Sequence, residues 1–178
     1  MVRNVFLIGL MGAGKSSVGR QLACAMQLPF ADSDKVIEAR TGVSIPLIFE
    51  MEGEVGFRVR EKNVITDLTA SNGLILATGG GVVLDPENRK HLKNRGCVVY
   101  LRASVDVLVA RTAHDRNRPL LQNTDPHAKL RELLEIRDPL YRETAHFALD
   151  VSEQSIRAVV RELVQQFATS PFHFLLEE

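Results

Sequence analysis

The chain has 178 residues, 22 basic and 22 acidic, a formal net charge of zero and 45% hydrophobic content. Such a length suits one domain with a real core, and the charge balance argues against nucleic acid or an anionic membrane as main partner. No apolar run of about 18 residues is present to span a bilayer. Cys24 and Cys97 lie far apart with no C-x-x-C, so they read as buried thiols in a reducing compartment rather than a disulfide or metal framework. Val2 to Met11 faintly resembles a signal peptide, but its apolar run dissolves into a glycine-rich loop that cleavage would remove; with no Arg/Ser-rich transit segment either, the cytoplasm is the expected location.

Val5-Phe6-Leu7-Ile8 suits a buried strand. Gly9 to Ser16 then reads G-x-x-x-x-G-K-[ST], the phosphate-binding P-loop pattern. Val18, Leu22 and Met26 follow at helical spacing. Strand, glycine loop and helix give this pattern its meaning. The glycines let backbone N–H groups point at phosphate oxygens, and the helix N-terminus adds its positive end. Lys15 can reach the β- and γ-phosphates, and the Ser16 hydroxyl can ligate Mg²⁺.

Leu28 to Ala31 reads as a second strand ending in Asp32-Ser33-Asp34. Strand alternation would put Asp32 and Asp34 on one side, facing the ligand crevice of an open α/β sheet. Ser33 or Asp34 could instead cap the helix that begins at Val36. From Ile45 to Ser71 the pattern is helical in pieces, interrupted at Gly53 and Gly56, with Val55, Val59, Ile65 and Leu68 among its apolar positions. Arg58 has Glu54 at i−4 and Glu61 at i+3. A surface ion-pair ladder is the simpler account, and a pair of carboxylates posing Arg58 for an anion the sharper one.

Leu74 to Ala77 is a third strand closed by Thr78-Gly79-Gly80-Gly81, either a tight turn or a place where backbone approaches a ligand closely. Asp85 to Gly96 reads as a polar helix, Cys97 to Leu101 as a fourth strand, and Ser104 as the N-cap of a helix running to Ala110. Residues 111–119 hold Arg111, Arg116, Arg118 and Pro119 with little apolar content, which suits a mobile lid or an exposed loop. Pro126 to Arg137 is helical, with Arg137 on the same face as Leu130, Leu133 and Leu134; Pro139 ends that helix at Asp138. His146 to Val151 is the fifth strand and Ser155 to Ala168 the closing helix. The five histidines lack metal-ligand spacing.

Taken in order, these residues resemble the shikimate kinase family across almost the whole chain. The match runs through the Gly9–Ser16 loop, Asp32-Ser33-Asp34, Gly53-Glu54 with Phe57-Arg58 and Glu61, Thr78 to Gly81, Arg118 to Leu121, and Arg137 with Pro139 to Tyr141. The resemblance implies an α/β, three-layer P-loop kinase fold with a five-stranded parallel sheet flanked by helices. It implies one domain over 1–178, with a helical substrate-binding segment at about 33–61 and a lid at about 111–125, acting as a monomer. The implied reaction is phosphorylation of the shikimate 3-hydroxyl by ATP and Mg²⁺. Gly12, Ala13, Gly14, Lys15, Ser16 and Ser17 would then hold the nucleotide, with Arg111 near the adenine and Arg118 supplied by the lid. Ser16 and Asp32 would serve the metal. Asp34, Arg58, Gly79, Gly80, Gly81 and Arg137 would hold shikimate, with Lys15, Asp34 and Arg118 catalytic. Ser152-Glu153-Gln154-Ser155 departs from the family pattern, in which a proline-bearing loop follows the last strand. The rivals are another small P-loop kinase, acting on gluconate or a nucleoside monophosphate, and a nucleotide-binding switch with no acceptor.

Overall fold

The computed structural model describes residues 4–113, 119–122 and 124–169. Five strands, β1 (Asn4–Ile8), β2 (Phe30–Asp32), β3 (Ile75–Ala77), β4 (Gly96–Arg102) and β5 (Phe147–Asp150), pair in parallel in the order β2-β3-β1-β4-β5. The central strands are buried along nearly their whole length, as expected of a parallel sheet covered on both faces. That is why their sequences are unbroken apolar runs. Among the described residues the sheet is flanked by α1 (Lys15–Met26), α2 (Ser33–Thr41), α3 (Ile45–Thr69), α4 (Pro86–Arg95), α5 (Val105–Thr112), α6 (Pro126–Thr144) and α7 (Ile156–Thr169). This is the expected helix–sheet–helix architecture. The chain leaves β1 towards β3 and β2 on one side and later crosses to β4 and β5 on the other. The loop after β1 therefore lies where the strand order reverses, the usual ligand position in such sheets.

A main core fills the space around the sheet. A smaller cluster, Ile37, Ile48, Phe57 and Val64, joins α2 to α3. Gly53 kinks α3 at φ 68°, ψ −176°, a region open essentially to glycine alone. The kink resets the helical phase. Beyond it the buried face carries Phe57, Glu61, Val64 and Ile65, whereas Val55 and Val59 are 78% and 58% exposed, contrary to the periodicity reading.

Three other expectations are corrected. α6 runs through Pro139 to Thr144 instead of stopping at Asp138. Pro139 is exposed, so the helix bond it removes lies on the watered side. Arg137, Tyr141 and Thr144 hold the opposite face against the core. Asp34 does not extend β2; Asp32 accepts hydrogen bonds from the backbone N–H groups of Asp34 and Lys35, and the helix starts at Ser33. Cys97 is buried, but Cys24 is exposed on α1.

Candidate active site

The carboxyl ends of the strands open into a cleft of about 690 Å³, within the usual range for small-molecule sites. Its floor holds the P-loop, and its walls carry Asp32, Asp34, Arg58, the three glycines and Arg137.

On the phosphate side, the N-cap of α1 is Gly14, which sits at φ 91° and offers no side-chain cap. The first N–H groups of α1 are thus not used by a cap and suit an anion. Lys15 is buried, and its ammonium donates to the Gly9 and Leu10 carbonyls at 2.7 and 2.9 Å. Ser16 Oγ donates to Asp32 Oδ2 at 2.5 Å, which joins the first turn of α1 to the end of β2. A hydroxyl beside a carboxylate oxygen is a hard-oxygen pair that fits Mg²⁺, an ion that normally takes only one or two protein ligands and fills the rest with phosphate and water. No cluster of three or more His, Cys, Asp or Glu that could hold a metal ion is found among the described residues. Gly12, Ala13 and Ser17 line the same part of the cleft. Arg111 donates to the Gly12 carbonyl at 3.5 Å and to the Val151 carbonyl at 3.0 Å, tying the P-loop to the segment after β5. Gln154 and Ser155 of that segment also border the cleft.

The opposite side is built from charge around glycine. Arg58 donates to Glu61 Oε2 at 2.7 Å and to Glu54 Oε1 at 2.8 Å, and its guanidinium lies 5.2 Å from the centroid of the Phe57 ring. Burial opposes the Arg58 charge, but the two carboxylates outweigh it and hold the guanidinium above its usual range. Burial pushes the Glu61 carboxyl above its usual range despite Arg58. Arg137 is 3% exposed, with a buried Nη1 that lacks a hydrogen-bond partner among the described residues. An unsatisfied buried cationic donor at a cleft wall suits an anionic ligand.

The glycines are explained by these neighbours. A Cβ on Gly79 would stand 2.7 Å from Glu61 Oε1 and 2.8 Å from Asp34 Oδ1, and a Cβ on Gly81 would collide with the Arg58 guanidinium. Gly79 N–H donates to Ser33 Oγ at 3.0 Å, so this amide is committed to the fold. The triplet turns the chain, with the Val82 N–H donating to the Gly79 carbonyl at 3.2 Å, and its missing side chains make room for Asp34, Glu61 and Arg58.

The structure thus brings together all the expected site residues that it describes. Arg118 lies outside the described residues, as do 114–117 and 123 of the expected lid; Pro119 and Leu120 reach the cleft edge. Two residues within the matched motifs have roles that the sequence did not give. Ser33, read from sequence only as a possible cap between two aspartates, anchors the Gly79 N–H. Tyr141 is fully buried and donates to the Gly80 carbonyl, and its signal was a position one turn beyond Arg137.

A family model for shikimate kinase matches residues 11–168. The shikimate kinase of Thioalkalivibrio sulfidiphilus is 57% identical over 164 residues, 92% of this chain and 86% of that protein. A solved shikimate kinase from Acinetobacter baumannii, in complex with shikimate, has a TM-score of 0.92 at 49% identity over 94% of each chain. A gluconokinase from Sinorhizobium meliloti, covering 93% of this chain and 91% of its own, has a TM-score of 0.55 at 20% identity, a likeness of fold alone. With a family model spanning most of the chain and a relative above half identity along nearly all of it, the chain belongs to the shikimate kinase family.

Proposed function

We propose that the protein transfers the γ-phosphoryl group of ATP to the 3-hydroxyl of shikimate, giving shikimate 3-phosphate and ADP. The observation that carries this reading is the convergence of Arg58 and Arg137 on the glycine triplet, beside Asp34 and opposite the P-loop. Shikimate has one carboxylate and three hydroxyls, which calls for guanidinium groups and a carboxylate acceptor. The A. baumannii relative, solved with shikimate, supports the same acceptor.

Positioning and charge neutralisation do most of the work in phosphoryl transfer. The P-loop amides of residues 12–17 hold the phosphates. Lys15 turns from its own loop carbonyls towards the β- and γ-phosphates. Ser16 and Asp32 would hold Mg²⁺, which when bound would neutralise phosphate charge. Arg58 and Arg137 bind the shikimate carboxylate, and Gly79 to Gly81 let the ring approach because no side chain intervenes. Asp34 accepts the hydrogen bond of the reacting hydroxyl. As its oxygen bonds to the γ-phosphorus, the bond to the β,γ-bridging oxygen breaks and the hydroxyl proton passes to Asp34. Arg111 borders the nucleotide, and Arg118, of the lid expected at about 111–125, is assigned to neutralising charge on the transferred group. That lid and the substrate-binding segment at about 33–61 belong to one domain over 1–178.

No helix among the described residues is long and apolar enough to cross a membrane, and the use of ATP supports action in the cytoplasm. The deciding experiment measures ADP release from MgATP with shikimate, with gluconate and with no acceptor. Release dependent on shikimate is expected. Release dependent on gluconate would overturn the acceptor, and slow release indifferent to either would favour a nucleotide switch.

A further inference from the structure

We propose that Tyr141 is a positioning residue for the shikimate site, setting Arg137 and the glycine triplet in register through its hydroxyl; the inference rests on the function proposed above. Tyr141 is fully buried, four residues beyond Arg137 on the same face of α6. Its hydroxyl donates to the Gly80 carbonyl, and Gly80 lies between the glycine packed on Asp34 and Glu61 and the glycine packed on Arg58. A Cβ on Gly80 would lie 3.6 Å from Arg137 Nη1. One phenol therefore joins the helix carrying one arginine to the loop that spaces the other.

The phenol is itself held. The Tyr141 ring packs on Tyr100 with centroids 4.9 Å apart, and Tyr100 donates to Asp138 Oδ1 at 2.7 Å. Burial pushes the Tyr141 hydroxyl above its usual range against the opposing charge of Arg137, so it remains a donor throughout neutral pH. Tyr100 secures the same helix without reaching the glycine loop. It therefore serves as the control for simple loosening of α6.

Three proteins separate the possibilities: wild type, Tyr141→Phe and Tyr100→Phe. Tyr141→Phe keeps the ring and removes only the donor, leaving the half-buried Gly80 carbonyl without it. Its KM for shikimate should rise at least fivefold while its KM for ATP stays within twofold. Tyr100→Phe should lower Tm yet leave the shikimate KM within twofold. An unchanged shikimate KM in Tyr141→Phe, or an equal rise in Tyr100→Phe, overturns the proposal. Wild type inactive on shikimate would instead overturn the function on which it rests.

Should Tyr141→Phe fail to fold, Tyr100→Phe supplies a second readout. The chain has two tyrosines and no tryptophan, so Tyr141 is then the only strong emitter. Its emission should change on saturation with shikimate and not with ATP. No change with shikimate, or the same change with ATP, overturns the proposal.

Discussion

Arg58 sits between carboxylates of unequal burial, with Glu61 at 1% side-chain exposure and Glu54 at 46%. The exposed contact is worth little, whereas the buried one fixes the guanidinium at the cost of desolvating two charges. Because burial raises the Glu61 pKa above 4.5, the folded protein holds that proton to higher pH than the unfolded chain does. The contribution is therefore fully present below about pH 4.5 and is lost as pH rises through the folded value. Glu61→Gln should match wild type in denaturant stability near pH 4 and exceed it at pH 7, while binding shikimate less tightly. Equal stability at both pH values would remove the desolvation argument. Asp34 poses a different question, since Asn keeps an acceptor oxygen and lacks basicity. If Asp34 takes the proton, Asp34→Asn lowers kcat by about 100-fold or more with little change in either KM. A fall below tenfold would leave Asp34 as an orienting group only.

At the scale of the element, α3 depends on one residue's backbone freedom. Gly53 carries the kink that turns Phe57 into the small core and Arg58 into the cleft. Gly53→Ala should cost about 1–3 kcal/mol, read as a lower denaturation midpoint, and should raise the shikimate KM as Arg58 shifts. A variant as stable as wild type would mean that the kink is not required. The local rule that failed in α3 was periodicity, because a helix with a reset phase has two apolar stripes that a single window averages. The rule that failed in α6 was proline as a stop. A missing bond on the wet side was outweighed by Arg137, Tyr141 and Thr144 packing on the dry side.

For the whole molecule, ligand binding and stability are linked, because a ligand that binds only the folded state stabilises it. Shikimate at 100 times its Kd should add about 2.7 kcal/mol, or roughly 5–10 °C in Tm for a chain of this length. At the same concentration Arg58→Ala and Arg137→Ala should lose most of that shift while keeping the one produced by ATP. Retention of the full shikimate shift in both variants would remove the carboxylate assignment. The sequence by itself determined the strand runs, the P-loop and the chain-order motifs, because backbone chemistry and burial on both sheet faces impose local patterns. It also named Arg58, Asp34 and Arg137, but could not tell a solvated ion-pair ladder from a ligand grip. Only the tertiary structure places Arg58 in the cleft wall with one of its two carboxylates buried. Burial of Glu61 and Arg137, the Ser33–Gly79 bond and the Tyr141–Gly80 bond join segments far apart in the chain. No periodicity records such contacts, since they depend on which helix faces the glycine loop across the cleft.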